Sequence, residues 1–293
     1  MKPGRFTYHS PRSLDEALAT LQVYGDDAKV LAGGQSLMPM LNFRLARFEH
    51  LVDVNRVGAE YAEPTFGDTR ITIPLLVRQR RVERSAEAAA VLPVLTEALQ
   101  QVAHPQIRNR GTICGSLAHA DPAAELPSVL SVLDATFTIA SSRGVREVPA
   151  EEFFLFHLTT SLEPDELLLQ VSVPRPQANQ FSAFSEFATR RGDFALAGVA
   201  AVCEVDAAGV VTACRIAAAG VAPTPHRLTD VEALVTGASL GDDLLPEAEA
   251  AARAQVDPTG DIHASAEYRS RLTGVLVKRA LADIRGKLEA TRA

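Results

Sequence analysis

"KVLAGGQSLMPMLNFRL", Lys29 to Leu45, decides how this chain is read. The short apolar run "AKVLA" has strand character and leads straight into Gly33, Gly34, Gln35 and Ser36. Glycine has no Cβ and adopts positive φ freely. Such bare backbone serves either a tight turn or a nest of N–H groups held against an anion. The Ser36 hydroxyl adds a donor. The stretch is not a P-loop, because no lysine follows the glycines, and it lacks the spacing of the G-x-G-x-x-G dinucleotide fingerprint.

Upstream, "SLDEALATLQVYG" begins with a capping box. Ser13 caps and Glu16 reaches back. Leu14, Ala17, Leu18 and Leu21 then share one face, and Gly25 suits the stop. Downstream, "HLVDVN" (His50 to Asn55) reads as another short strand. The first 57 residues are thus β/α units around a glycine-rich loop. Within 58 to 84, "TRITIPLLVRQRRVERS" starts as a strand and ends as the start of a helix. "AVLPVLTEALQQVAH" reads as a helix with Pro93 near its first turn, and "ATFTIASS" and "DELLLQVSVPRP" read as strands.

Pro174 to Gln180 is the expected linker. Beyond it come "FSAFSEFATR", a strand; a hairpin turning at Ala208-Gly209; and helical patterns in "TDVEALVTG", "LLPEAEAAARAQ" and "SAEYRSRLTGVLVKRALADIRGKLEA". Antiparallel strands followed by packed helices make a small α+β domain.

A second small-residue stretch, Thr112, Ile113, Cys114, Gly115 and Ser116, lies in "HPQIRNRGTICGSLAHADPAAELP" and is read as a loop. Arg108 and Arg110 precede it, and Asp121 and Glu125 follow. The arginines suit a pyrophosphate or a solvated loop. The carboxylates suit sugar hydroxyls, or, for Asp121, a helix cap ahead of "PAAELPSVL".

Composition limits the function classes. With 29 Lys and Arg against 36 Asp and Glu, the net charge of −7 argues against nucleic acid and gives no attraction to anionic membranes. The N-terminus lacks an apolar signal core, and no apolar run is long enough to span a bilayer. Cys114, Cys203 and Cys214 are odd in number, far apart in sequence and without a CxxC pair. They point to reduced thiols in the cytoplasm, and not to disulfides or an internal iron–sulfur cluster. The seven histidines show no metal-ligand spacing, so no metal site is expected.

Four blocks in order, "LAGGQSLMPMLNFRLARFEHLVDVN", "HPQIRNRGTICGSLAHADPAAELP", "RRGDFALAGVAAV" and "SAEYRSRLTGVLVKRAL", resemble the FAD-binding medium subunit of the molybdenum hydroxylases, the carbon monoxide dehydrogenase and xanthine dehydrogenase family. The resemblance covers nearly the whole chain. It implies an α+β protein: a two-part FAD-binding domain of the vanillyl-alcohol-oxidase (PCMH) type over 1–176, with subdomains of about 1–57 and 58–176. A small C-terminal flavoprotein domain, an antiparallel sheet plus helix bundle, would follow over 177–293.

It also implies that Ala32, Gly33, Gly34, Gln35 and Ser36 embrace the FAD pyrophosphate together with Thr112, Ile113, Cys114, Gly115 and Ser116. Val30 and Leu31 would line the approach, Leu37 would follow, and Arg110 would flank the site. Glu125 would meet the flavin's sugar or ribityl part, with Asp121 in support, and Leu168 would border the cofactor.

Two departures from the family pattern stand out. The usual "T-I-G-G-N" has Cys114 and Ser116 here, and a left-handed backbone at Cys114 would cost about 1–2 kcal/mol. Ser185 stands where xanthine dehydrogenase has a lysine near the flavin, so a preference for NAD does not carry over.

The function so implied is electron transfer. The FAD subunit takes electrons from the [2Fe–2S] clusters of a small subunit and passes them to an external acceptor. A large molybdopterin subunit hydroxylates the substrate, and the whole is a heterohexamer, a dimer of heterotrimers. No catalytic acid, base or nucleophile is expected in this chain. The alternative is a cofactor-free nucleotide-binding or interaction module of the same fold. A stand-alone FAD oxidase is disfavoured, because the residues after the linker offer no obvious base.

Overall fold

The computed structural model describes residues 2–292. Near its N-terminus, Thr7–His9 forms a strand with no strong signal in the sequence. It pairs with His50–Asp53, which also pairs with Ala28–Leu31, and all three run parallel. The helix Leu14–Tyr24 packs on them through Ala17, Leu18 and Leu21. Ser13 Oγ accepts the Glu16 N–H as the capping box requires. The Glu16 carboxylate reaches one residue further back than expected, to the Arg12 N–H at 2.7 Å.

The middle sheet is wholly antiparallel. Its order is Thr65–Phe66, Arg70–Pro74, Leu167–Pro174, Thr136–Ser141, Gly144–Pro149. Gly144–Pro149, absent from the sequence reading, is an exposed edge carrying Arg146 and Glu147. Its charge suits an unpaired edge and obscures strand alternation. The single helix expected around Pro93 is two, Ala86–Val91 and Pro93–Gln101. Proline lacks an N–H and restricts the residue before it, so the chain breaks at Leu92 and Pro93 starts the second helix.

The second small-residue stretch is not a loop. Thr112 caps a helix, Ile113–His119, and its Oγ1 accepts the Gly115 N–H at 3.0 Å. Asp121 does not cap the next helix either. Its Oδ1 accepts the Ala123 N–H at 2.9 Å in a local turn, and the helix Glu125–Val132 begins after Ala124.

The C-terminal sheet is ordered Gln180–Ala188, Ala195–Val205, Val211–Ala219, His226–Arg227, all antiparallel. The Arg190-Arg191-Gly192-Asp193 cluster is the turn between its first two strands. The strand "ALAGVAAVCEV" is apolar from Ala195 to Cys203 because both of its faces are covered. Ala200 and Val202 enter the core of the middle unit with Val129 and Leu133, while Ala197, Val199 and Ala201 meet Leu276, Val277 and Leu281. The last two of these lie with Leu276 on the long helix Ala266–Arg292.

A polar tie crosses the same seam. Lys287 Nζ donates to Glu97 Oε1 at 2.7 Å and to the Ser182 carbonyl at 2.8 Å, and Glu97 Oε2 accepts the Phe184 N–H at 3.0 Å.

Candidate functional site

The strand Ala28–Leu31 ends at the turn Ala32–Ser36, and the helix Leu37–Asn42 follows. The turn's carbonyls are occupied. Asn55 Nδ2 donates to the Ala32 oxygen at 2.8 Å and Gln35 Nε2 to the Gly33 oxygen at 2.9 Å. The N–H groups of Gly33, Gly34, Gln35 and Ser36 have no acceptor among the described residues. Gly34 has φ +71°, which turns successive N–H groups to one side. Buried or half-buried donors need a partner, and a phosphate supplies one.

The two stretches meet backbone to backbone. A Cβ placed on Gly33 would lie 2.5 Å from the Arg110 carbonyl oxygen and 2.7 Å from Gly111 Cα. A Cβ on Gly115 would lie 4.0 Å from the Ala32 Cβ. Gly115 and Ser116 are half-exposed on the helix's first turn, while Ile113 and Cys114 face the core. Cys114 is helical, its thiol directed at the Ile73 carbonyl 3.6 Å away, and burial pushes it up to about 12. The left-handed cost expected there does not arise, so this departure does not disfavour the cofactor.

The cations separate. Arg108 is buried and paired with Glu83 at 2.8 and 3.0 Å, and it also donates to the Val102 and Ala103 carbonyls. It belongs to the scaffold, not to a pyrophosphate site. Arg110 is exposed, with no side-chain partner among the described residues. Arg110→Ala is expected to leave the melting temperature unchanged and to weaken FAD binding about 10-fold, the share of one exposed charged hydrogen bond. A flavin titration checks it.

Asp53, Asn55 and Arg78 were not singled out by sequence. Asn55 N and Nδ2 donate to Asp53 Oδ1, and Arg78 Nη2 donates to Asn55 Oδ1 at 2.5 Å. Arg78 also donates to the Arg110 carbonyl, so Asn55 and Arg78 clamp the two stretches together. Burial, then the charge of Arg110, lowers the Arg78 guanidinium's proton affinity. Beside this clamp is a cleft of about 440 Å³ lined by Asn55, Arg56, Gly58, Leu76, Arg78 and Arg81. Asn55 had a usable signal, since it follows a parallel strand at the end where ligands gather. Arg78 had none, being one of four arginines in "VRQRRVER".

Val30, Leu31 and Leu37 are half-buried beside the turn. Leu168 lies in the middle core, 2% exposed, where the strand Leu167–Pro174 bulges. The structure does not bring its side chain to the glycine seam. Asp121 is half-buried, and Glu125 is buried at the start of its helix. Burial, then the charge of Glu186, raises the Glu125 carboxyl to about 8; Asp121 adds to this and Arg108 opposes it.

A carboxyl so raised keeps its proton longer in the folded chain than in the unfolded one. Folding stability therefore falls as pH climbs from about 5 towards 8. Glu125→Gln, which has nothing to ionise, is expected to flatten that fall in the flavin-free chain. It should be more stable than wild type at pH 8.5 by on the order of a few kcal/mol, and little different at pH 5. Melting curves across pH decide it.

The arrangement fits a dinucleotide-type cofactor: N–H groups and an exposed arginine without partners among the described residues, a cradle that any Cβ would fill, and a buried and a half-buried acid. Comparison with known proteins agrees. The family model described as the FAD binding domain in molybdopterin dehydrogenase matches residues 4–176, and that of the CO dehydrogenase flavoprotein C-terminal domain matches 182–284. The chain is 41% identical over 282 residues to the 6-hydroxypseudooxynicotine dehydrogenase complex subunit alpha of Paenarthrobacter nicotinovorans, across 96% of this chain and 95% of that protein. It is 37% identical to the carbon monoxide dehydrogenase medium chain of Hydrogenophaga pseudoflava, across 96% and 97%. A solved carbon monoxide dehydrogenase from Hydrogenophaga pseudoflava superposes with a TM-score of 0.93 at 38% identity, covering 97% of this chain and 98% of that one. The chain belongs to the molybdenum hydroxylase family, as its FAD-binding oxidoreductase subunit.

Proposed function

We propose that the chain is the electron-transfer subunit of a heterotrimeric-type molybdenum hydroxylase. It takes electrons from the [2Fe–2S] clusters of a small partner subunit and hands them to an external acceptor. A large molybdopterin subunit transforms the substrate, the complex is a dimer of heterotrimers, and it works in the cytoplasm. Three curated relatives carry "subunit alpha", "subunit beta" and "medium chain" in their names, which supports an assembly of several chains.

The observation that carries the reading is the seam where Gly33 meets Arg110 and Gly111 and leaves the N–H groups of Gly33 to Ser36 without an acceptor among the described residues. In this reading those groups and Ser36 hold one side of the pyrophosphate, with Thr112 to Ser116 and Arg110 on the other. Glu125 and Asp121 receive hydroxyl groups, and Val30, Leu31 and Leu37 exclude water. FAD, when bound, supplies one- and two-electron redox chemistry, and the chain supplies binding, orientation and electrostatics. The division into 1–176, with parts 1–57 and 58–176, and 177–293 is supported by the three larger of the four sheets: Thr7 to Asp53, Thr65 to Pro174, and Gln180 to Arg227.

The test is an absorbance spectrum of the purified chain, then denaturation and identification of the released cofactor. A flavin band bleached by dithionite, with about one FAD per chain, supports the reading. A folded chain that takes up no FAD even with its partner subunits present refutes it.

A further inference from the structure

Glu186 is used by nothing described so far. It lies on the strand Gln180–Ala188, opposite Gly198, which is in turn opposite Ala219. These positions share the face of Phe184, Ala200, Val202 and Ala217, which packs on the core of the FAD-binding unit. The row ends beside the proposed cofactor site, because the next residue, Gly220, donates its N–H to the Pro122 carbonyl at 2.8 Å, between Asp121 and Glu125.

The row is built of small residues. A Cβ on Gly198 would come within 3.6 Å of both the Ala219 Cβ and the Phe184 ring, and within 3.9 Å of Glu186 Cγ. Glu186 Oε2 is buried and has no hydrogen-bond partner among the described residues. Glu125, 8% exposed, faces it closely enough for the Glu186 charge to act on it, and apart from its own N–H nothing among the described residues donates to its carboxyl. Burial raises both acids, Glu186 to about 7 and Glu125 to about 8. A buried and a half-buried carboxyl from different domains, neither with a donor from any other described residue, are an arrangement that calls for an outside partner.

We propose that Glu186 is a cofactor-positioning residue of the C-terminal domain, whose carboxyl meets the hydroxyl- and N–H-bearing flavin half of FAD across the seam from Glu125. This rests on the cofactor reading above. The ribityl hydroxyls and the ring N–H are donors, and the orphaned oxygen is an acceptor. The C-terminal domain thereby takes part in holding the flavin, in addition to closing the core.

The experiment titrates the full chain, stripped of flavin, with FAD and separately with ADP, which carries the pyrophosphate and adenosine but no flavin. Glu186→Leu is expected to weaken FAD about 10-fold and leave ADP binding unchanged, while Glu186→Gln restores most of the FAD affinity. Should the leucine variant not fold, Glu186→Ala takes its place. A changed shape of the bound-flavin absorbance band in the leucine variant assigns the contact to the ring, and an unchanged band assigns it to the ribityl chain. Equal weakening of FAD and ADP, or no weakening of FAD, overturns the proposal. A wild-type chain that binds ADP but no FAD overturns the cofactor reading itself.

Discussion

Gly33→Ala is expected to yield a chain without flavin. Gly33 is buried, and its φ is not positive, so ordinary backbone strain is not the obstacle. The obstacle is contact. The new methyl would sit 2.5 Å from the Arg110 oxygen and 2.7 Å from Gly111 Cα. Both are backbone atoms; Arg78 holds their turn through the Arg110 carbonyl, and Asn55 holds the facing turn through the Ala32 carbonyl. The seam must open, at a cost of about 1–3 kcal/mol in stability. Opening it also splays the N–H groups aimed at the phosphate. Two charged hydrogen bonds lost at about 1.5–3 kcal/mol each lower FAD affinity by more than 100-fold.

Gly34→Ala is the control. Its neighbours are the side chains of Leu31 and Met38, which can move, and its φ of +71° costs about 1–2 kcal/mol. Flavin content and melting temperature, measured on both variants, separate the two. A Gly33→Ala protein that purifies with a full complement of FAD would refute the seam as the cofactor's seat.

Glu83→Ala is expected to cost about 3–5 kcal/mol in stability, the usual result of stranding one member of a buried pair. Burial pushes the Glu83 carboxyl up, but hydrogen bonds from Arg108 and Arg80 more than offset this and hold it below its ordinary value. The pair's contribution is thus present above about pH 4.5 and is lost as pH falls below it. Without Glu83, Arg108 keeps only the Val102 and Ala103 carbonyls for its buried charge. Urea denaturation reads the loss. FAD affinity of the folded fraction should hold within about twofold, since one buried scaffold pair touches no phosphate. A stable variant with weak FAD binding would instead return Arg108 to the ligand set that its position before the small-residue stretch first predicted.

The sequence was most legible where a local rule has few solutions. Ser13 and Glu16 marked a helix start, Ala208-Gly209 marked the hairpin, and the three final helices follow their apolar spacing. Two of the strands missed, Thr7–His9 and Gly144–Pro149, are exposed edges without alternation, and the others, such as Thr65–Phe66 and Thr159–Thr160, are only two or three residues long. Thr112 to Ser116 read as a loop because glycine and hydroxyl residues serve loops and helix N-termini alike, and only the Val77 and Thr112 bonds decide between them.

Alone, the sequence determined most of the order of elements, the glycine turn after Ala28–Leu31 and, through four blocks in order, the family and its FAD. The tertiary structure decided which charged groups are free to act. Arg108 and Arg110, two residues apart, are a buried scaffold cation and an exposed one. Cys203 and Cys214, far apart in the chain, sit in register with their sulfurs 3.5 Å apart, and that contact, with burial, holds the Cys214 thiol protonated. Glu186 and Glu125 come from different domains and meet only across the packed seam. Burial and pairing are properties of contacts between distant segments, and periodicity and spacing record only what neighbours along the chain can do.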